Sequence, residues 1–308
     1  MATGADGKMT VAITGGTGLV GTRLTQRLAA EGHAVRILTR NPDSARTKFA
    51  GVRNVSCHAP SEWAAAIKGS TGVVNLAGEP IATRWNEGVK KEIRDSRLNA
   101  TRKLVDAINA CPEGERPEVL VSSSAVGFYG TSDTNTYDET SAPGSDFLAK
   151  LCVEWEAEAN KSSTARTVIV RTGIVLAAEG GALGKMLPVF QVFAGGPLGS
   201  GSQWFSWIHR DDLVGIMVKA LEDKSFASGV YNGTAPNPVR MSEMCDSLGR
   251  VIGRPSWLPV PEFALQTLLG EGAMVVLDGQ KVVPAATEKA GYQFKYADID
   301  AAVRNLVR

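Results

Sequence analysis

The sequence predicts an α/β chain built on a doubly wound parallel sheet, followed by a smaller C-terminal domain. Three observations carry that prediction. Short apolar, β-rich runs alternate with helical patterns from Thr10 to Arg171. The runs are apolar throughout rather than alternating, as strands covered by helices on both faces must be. A glycine-rich turn joins the first run to the first helical pattern.

Thr10 to Thr14 reads as a buried strand that stops at Gly15-Gly16. Leu19 to Ala30 has helical spacing, with Leu19, Leu24 and Leu28 on one side and Gly32 as a stop. Ala34 to Leu38 is a second strand. Val73 to Ala77, Val119 to Ser123 and Thr167 to Arg171 are further strands, with helices at about Asn86 to Asn109 and Leu148 to Lys161 between them. This alternation means parallel β-α-β units. After Arg171 the texture changes to loops rich in glycine and proline, including Gly180-Gly181, Gly195 to Gly201 and Pro236 to Pro238. From Arg254 onward come Pro255, Pro259, Pro261 and a short helix over Phe263 to Leu269. The expected division is a first domain over 9–235, with a substrate-side insertion at about 177–203, and a small C-terminal domain over 254–303.

Of the 308 residues, 44% are hydrophobic, which excludes a disordered chain. Lys+Arg against Asp+Glu is 33 to 32, so no basic surplus points to nucleic acid. Cys57, Cys111, Cys152 and Cys245 form no Cys-x-x-Cys pair and read as reduced, buried side chains. His33, His58 and His209 join no grouping with metal-ligand spacing, so no metal is expected. No apolar run approaches the ~18 residues of a membrane span. Met1 to Met9 has neither the apolar core of a signal peptide nor the character of a transit peptide, so a targeting segment is expected to be missing from this sequence or never made.

The 33 glycines have a positional use. Gly15, Gly18 and Gly21 form Gly-x-x-Gly-x-x-Gly between a strand and a helix, the context in which the pattern binds a dinucleotide. Gly15 permits the tight turn, Gly18 the approach of a pyrophosphate, and Gly21 the packing of helix on strand. The pyrophosphate then meets free N–H groups and the positive end of the helix. The second strand ends at Arg40, where an NAD site usually carries a carboxylate. A guanidinium there suits a 2′-phosphate, so the expected cofactor is NADP(H); Asp43, three residues on, argues the other way. The expected contacts are Gly15, Thr17, Gly18, Leu19, Val20, Arg40, Leu76, Ala77, Gly78, Glu79, Ser122, Gly173 and Val175.

Longer motifs sharpen this reading. Asn75 to Ile81, Ile93 to Arg97, Ser124 to Gly130, Gly195 to Gly199, Trp204 to His209 and Thr234 to Pro238 resemble the SulA-like epimerase family of atypical and extended short-chain dehydrogenase/reductases. The resemblance runs from Met9 to the end. Arg254 to Pro261, Leu269 to Gly272 and Gly279 to Lys281 are most similar to its chloroplast and cyanobacterial branch, associated in plants with plastid division under the name giant chloroplast. It implies a Rossmann, extended short-chain-dehydrogenase-like fold, NADP(H), and a chloroplast location in the stroma or at the inner envelope, with the cytoplasm as the alternative.

Active members of that superfamily use Ser or Thr with a Tyr-x-x-x-Lys pair, in which the lysine lowers the tyrosine pKa. Ser124 fits the serine position and is the one catalytic candidate. At the tyrosine position stands Phe147, followed four residues on by Leu151; slipping the register by one gives Asp146 and Lys150. Neither register restores the pair. Tyr129, Tyr137, Lys185 and His209 are alternative acid/bases, with packing or loop-fixing as the other reading of Tyr129 and His209. Trp204, Phe205, Trp207 and Ile208 form either an aromatic pocket wall or a core stripe. Two functions follow: an NADP(H)-dependent oxidoreductase or epimerase acting on an unknown small molecule, or a catalytically degenerate NADP-bound structural, sensing or plastid-division factor. The apolar run Trp257 to Pro284 reads as interdomain packing, or as a contact for a protein or plastid membrane surface.

Overall fold

The computed structural model describes residues 7–307. Its centre is a seven-stranded, wholly parallel sheet. The strands are β1 (Thr10–Thr14), β2 (Ala34–Leu38), β3 (Val55–His58), β4 (Gly72–Asn75), β5 (Val119–Ala125), then, after the two-residue β6 (Thr136–Tyr137), β7 (Arg166–Thr172). The seventh, β11 (Gly229–Gly233), follows the short β8 (Ile174–Ala177), β9 (Trp204–Phe205) and β10 (Trp207–His209). The sheet order is β11-β7-β5-β4-β1-β2-β3. The order therefore reverses between β1 and β4, and ligands of such sheets bind outside the carboxyl ends of the strands at that reversal.

The crossovers are α1 (Leu19–Ala30), α2 (Pro42–Lys48), α3 (Trp63–Ile67), α4 (Glu87–Asn109), α5 (Phe147–Ala159), α6 (Gly181–Gln191) and α7 (Arg210–Glu222). β1, α1 and β2 occupy the residues that their patterns predict. The third predicted strand stops at Asn75 rather than Ala77, because Leu76 to Gly78 turn away over the glycine turn. β3 and β11, the two edge strands, are additions to the predicted set.

One core lies between β1, β2, β5, β7 and helices α1 and α7; another covers the opposite face under α3 and α4. A further core joins residues of 174–252 to the chain's end. There β12 (Val239–Arg240) and α8 (Met241–Ile252) precede α9 (Glu262–Leu269), α10 (Met274–Leu277), β13 (Lys281–Val282), α11 (Ala285–Lys289) and α12 (Ile299–Val307). Ile299, Ala302 and Val303 of α12 pack with Met244, Cys245 and Leu248 of α8 and with Phe205 and Trp207. The C-terminal segment thus shares this core instead of building one alone. Two further contacts tie it to the sheet side: β13 pairs with β6, and buried Asp212 on α7 accepts the backbone N–H groups of Lys295 and Tyr296 and the Tyr292 hydroxyl. Cys57, Cys111, Cys152 and Cys245 are free and buried.

His209 belongs to this frame rather than to a site. Its Nδ1 accepts the Asp211 N–H at 3.0 Å and caps α7, so Nε2 carries the hydrogen toward Asn305 Oδ1 at 3.1 Å, and the ring stacks on Tyr296. Burial lowers its pKa despite Asp211 and Asp212 nearby. As pH falls through the unfolded value of about 6.5, the unfolded chain takes up a proton that the folded chain refuses, so stability falls. The melting temperature is expected to drop between pH 7.5 and pH 5.5, and to drop less in His209→Gln. Equal drops in the two proteins would remove His209 as the cause.

Candidate functional site

The glycine turn sits where the sheet order reverses. Gly15 has φ +66°, and a Cβ on it would lie 2.4 Å from the Leu76 carbonyl oxygen. Gly18 is the N-cap of α1 and, having no side chain, leaves the first N–H groups of that helix uncapped. An uncapped helix end beside a turn with no room for Cβ atoms is a cradle for a diphosphate. Below it, Thr14 Oγ1 donates to Asn75 Oδ1 at 2.7 Å, while Asn75 Nδ2 donates to Thr101 Oγ1 and Ser122 Oγ. This buried network fixes the carboxyl ends of β1 and β4 against α4.

Two chambers meet at the turn and share Gly15, Gly18, Leu76 and Gly78. The outer one, about 710 Å³, is lined by Thr17, Thr39, Arg40, Ala77 and Glu79. Arg40 lies across it with Nη2 2.9 Å from Glu79 Oε1; its side chain is 86% exposed, so the pair is open to exchange. Asp43 does not line this chamber and pairs with Arg46 of α2 at 2.6 Å. Lys48, which no sequence signal marked, reaches the turn and donates to the Thr17 carbonyl at 2.7 Å.

The inner chamber, about 500 Å³, is lined by Leu19, Val20, Ser123, Ser124, Thr172 and Gly173, among others. Two expected contacts face elsewhere. Ser122 lies below the mouth of β5, and its fully buried hydroxyl is taken by Asn75. Val175 packs against the main core, and Ile174 faces the chamber in its place.

Ser124 is buried and donates its proton to Glu156 Oε1 at 2.6 Å. Glu156 is held by Arg171 through two bonds of 2.8 and 2.9 Å. Arg171 in turn donates to the Tyr129 hydroxyl, which donates to Asn232 Oδ1 at 2.8 Å, and its guanidinium lies over the Phe128 ring. The Ser124 hydroxyl therefore offers lone pairs to the chamber instead of a proton.

On α5 neither sequence register sets a full pair at the inner chamber: Asp146 lines it, whereas Phe147 and Lys150 do not. Asp146 is the N-cap of the helix, accepting the Ala149 N–H. Phe147 stands edge-on to Trp85, outside the chamber, and Lys150 is exposed. The residues of α5 that line the chamber are Leu148, Leu151, Cys152 and Trp155. Two i, i+4 pairs thus lie on this face, Leu148 with Cys152 and Leu151 with Trp155, and Cys152 is the one titratable member. Leu148 has no titratable group. Burial, aided by the Glu156 charge, pushes the Cys152 thiol up to about 11. The other candidates lie outside the chamber lining: Tyr129 is locked in the network, Tyr137 stacks on it, Lys185 is exposed on α6, and His209 caps α7. Trp204 is the one member of the aromatic run that lines the chamber. Phe205 and Trp207 enter the C-terminal core and Ile208 the main one.

Met274, Val275 and Gln280 cover the chamber from the C-terminal segment, pinned where Gln280 Nε2 donates to the Val126 carbonyl. Asp278 at the same mouth has its pKa raised by desolvation and by Asp133, Glu262 and Asp146. At the amino end of β2, away from the cleft, Glu31, His33 and Glu222 bring one potential metal-ligand atom each within 4.8 Å of one another. The sequence could not suggest this grouping, because Glu222 comes from the end of α7.

Two chambers joined at a glycine turn, on the reversal of a doubly wound parallel sheet, define a dinucleotide-binding protein of the Rossmann class. The chain belongs to the NAD dependent epimerase/dehydratase family, whose model matches residues 11–232, and a domain of unknown function (DUF1731) matches residues 260–306. It is 53% identical, over 98% of its length and 88% of the relative's, to "Epimerase family protein SDR39U1 homolog, chloroplastic" of Arabidopsis thaliana. The crystal structure of human epimerase family protein SDR39U1 (isoform 2) with NADPH superposes with a TM-score of 0.88 at 39% identity, over 97% of this chain and 99% of that one. UDP-glucuronic acid 4-epimerase from Bacillus cereus shares the fold, with a TM-score of 0.78 at 15% identity over 97% of this chain and 98% of its own. The family expected from the motifs is the one found. Among the described residues no helix is long and apolar enough to cross a membrane.

Proposed function

We propose that the cleft binds NADP(H) and that the protein is an oxidoreductase or epimerase of the short-chain dehydrogenase/reductase superfamily, acting on a small molecule without a Tyr-x-x-x-Lys pair. The observation that carries the cofactor is the uncapped start of α1 over a turn in which Gly15 leaves no space for a Cβ, with Arg40 beyond β2. NADPH in the human relative supports it. The dinucleotide would supply the hydride. The N–H groups at the start of α1 would hold its diphosphate, and Arg40, released from Glu79, its 2′-phosphate. Ser124, already donating to Glu156, would accept a hydrogen bond from a substrate hydroxyl rather than polarise a carbonyl. A plastid location, in the stroma or at the inner envelope, is part of this reading, supported by the chloroplastic relative in Arabidopsis thaliana.

Arg40→Ala is expected to weaken NADPH binding about 10- to 100-fold, the worth of a charge-assisted contact, and to leave NADH within about twofold. Wild-type protein that binds NADH as tightly as NADPH would show that Arg40 reads no phosphate. No binding of either would remove the cofactor reading.

A second reading keeps NADP(H) but assigns a structural, sensing or plastid-division role with little turnover. Its specific support is the α5 face, where Leu148 and a protonated Cys152 offer no proton-transfer pair. Following nicotinamide absorbance against a panel of alcohols and carbonyls, together with product analysis of nucleotide sugars for epimerisation, which leaves the cofactor's redox state unchanged, separates the two. Turnover on any of them favours the first reading, and saturable binding without turnover the second.

A further inference from the structure

One cation of the inner chamber has no part in the contacts of Ser124, Arg40 or the glycine turn's N–H groups. Among the described residues that line it, Arg97 of α4 is the only Lys or Arg. Its side chain is fixed rather than free. Nη1 donates to the Ile93 carbonyl and Nη2 to the Glu79 carbonyl, both at 2.9 Å, and the guanidinium lies over the Trp155 ring with its carbon 5.4 Å from the centroid. Gly78 packs on it so closely that a Cβ there would sit 3.0 Å from its central carbon. Arg97 makes no ion pair among the described residues. Glu79 attracts it from a distance, but that carboxylate is bonded to Arg40. Two of its five N–H groups are spent on carbonyls, leaving three. A largely desolvated guanidinium without a carboxylate is costly unless an acceptor completes it.

Its position gives it a partner. Arg97 lines the same chamber as Cys152, which occupies the second place of one i, i+4 pair on the chamber face of α5. A cation is absent from α5 at that place and is delivered from α4, beside it. On the other side lies Gly78, which both chambers share. We propose that Arg97 binds the nicotinamide half of NADP(H), donating to the oxygens of its ribose and the adjoining phosphate, and so holds the nicotinamide end in the inner chamber. This inference rests on the cofactor reading above and extends it to a residue of α4.

The test compares two probes by calorimetric titration: NADPH, and 2′,5′-ADP, which has the adenine half and lacks the nicotinamide ribose. Arg97→Met keeps the stem over Trp155 and removes the donors; Arg97→Lys keeps a charge. Arg97→Met is expected to weaken NADPH about 10- to 100-fold while 2′,5′-ADP stays within about twofold, and Arg97→Lys to recover part of the loss. Equal loss of both probes would make Arg97 a structural prop of the Gly78 turn and overturn the proposal, as would unchanged NADPH affinity. Should Arg97→Met fail to fold, Arg97→Lys with NADPH affinity unchanged and 2′,5′-ADP weakened would overturn it equally. Failure of the cofactor reading is distinct: wild-type protein would then bind neither probe.

Discussion

Gly21→Val is expected to abolish measurable NADPH binding and to lower stability by roughly 3 kcal/mol, the upper end for overpacking a tight site. A Cβ at Gly21 would lie 2.2 Å from the Gly15 carbonyl oxygen and 2.7 Å from the Gly16 Cα. Both are backbone atoms of the turn, so neither can rotate aside. The start of α1 must move off β1, and the N–H groups facing the cleft move with it. Gly114→Ala is the control, since a Cβ there meets nothing within 4 Å. Titration with NADPH and urea unfolding of both variants check this. Gly21→Val binding within about threefold of wild type, a difference under 1 kcal/mol, would show that the helix–strand approach does not shape the site.

Glu156→Ala is expected to be the most destabilising polar substitution, at about 3–5 kcal/mol, because it leaves a buried guanidinium unpaired. Arg171 and Glu156 are 4% and 8% exposed and bonded through both carboxylate oxygens. Arg171 also holds Tyr129, and through it Asn232, whose amide donates to the Val283 carbonyl. The loss therefore spreads from β5 and β7 to the C-terminal segment. Replacing both partners by apolar residues, Glu156→Leu with Arg171→Met, is expected to recover part of the stability, since the isolated charge is gone. Urea unfolding decides. A cost under about 1 kcal/mol for Glu156→Ala, or a double variant no better than the single, would mean that the pair is not the anchor of this region. Glu156→Ala also frees the Ser124 proton, so a hydroxyl-bearing ligand that relies on Ser124 as acceptor should bind more weakly to it.

Much of this is legible in the sequence alone. β1, α1 and β2 are continuous, strongly patterned segments between glycine punctuation, and their structure follows from local periodicity and turn chemistry. The same holds for the turn itself, where spacing specifies both the backbone shape and the close approach. The edge strands were not legible. Val55–His58 is half polar and Gly229–Gly233 carries a glycine at each end, so they become strands only because a neighbour's free edge pairs with them.

The site divided along the same line. Sequence placed Gly15, Gly18, Arg40, Gly78, Ser124 and Gly173 along the cleft, because strand ends and their turns carry their position in their own pattern. It could not decide which face of α5 meets the chamber. Phe147, Leu148 and Leu151 are all apolar, so the helix has no single stripe to orient it. Docking on β5 and α4 chose Leu148, Leu151, Cys152 and Trp155. Nor could it reveal that Asp43 faces Arg46, that Ser124 has given its proton to Glu156, or that Arg97 and the 274–280 segment complete the chamber. The sequence by itself determined a dinucleotide turn on a parallel sheet, since those features are encoded within a few residues of one another. The tertiary structure alone decided which groups are free to act there, because a proton donor or a cation is available only if no distant residue has already bonded it.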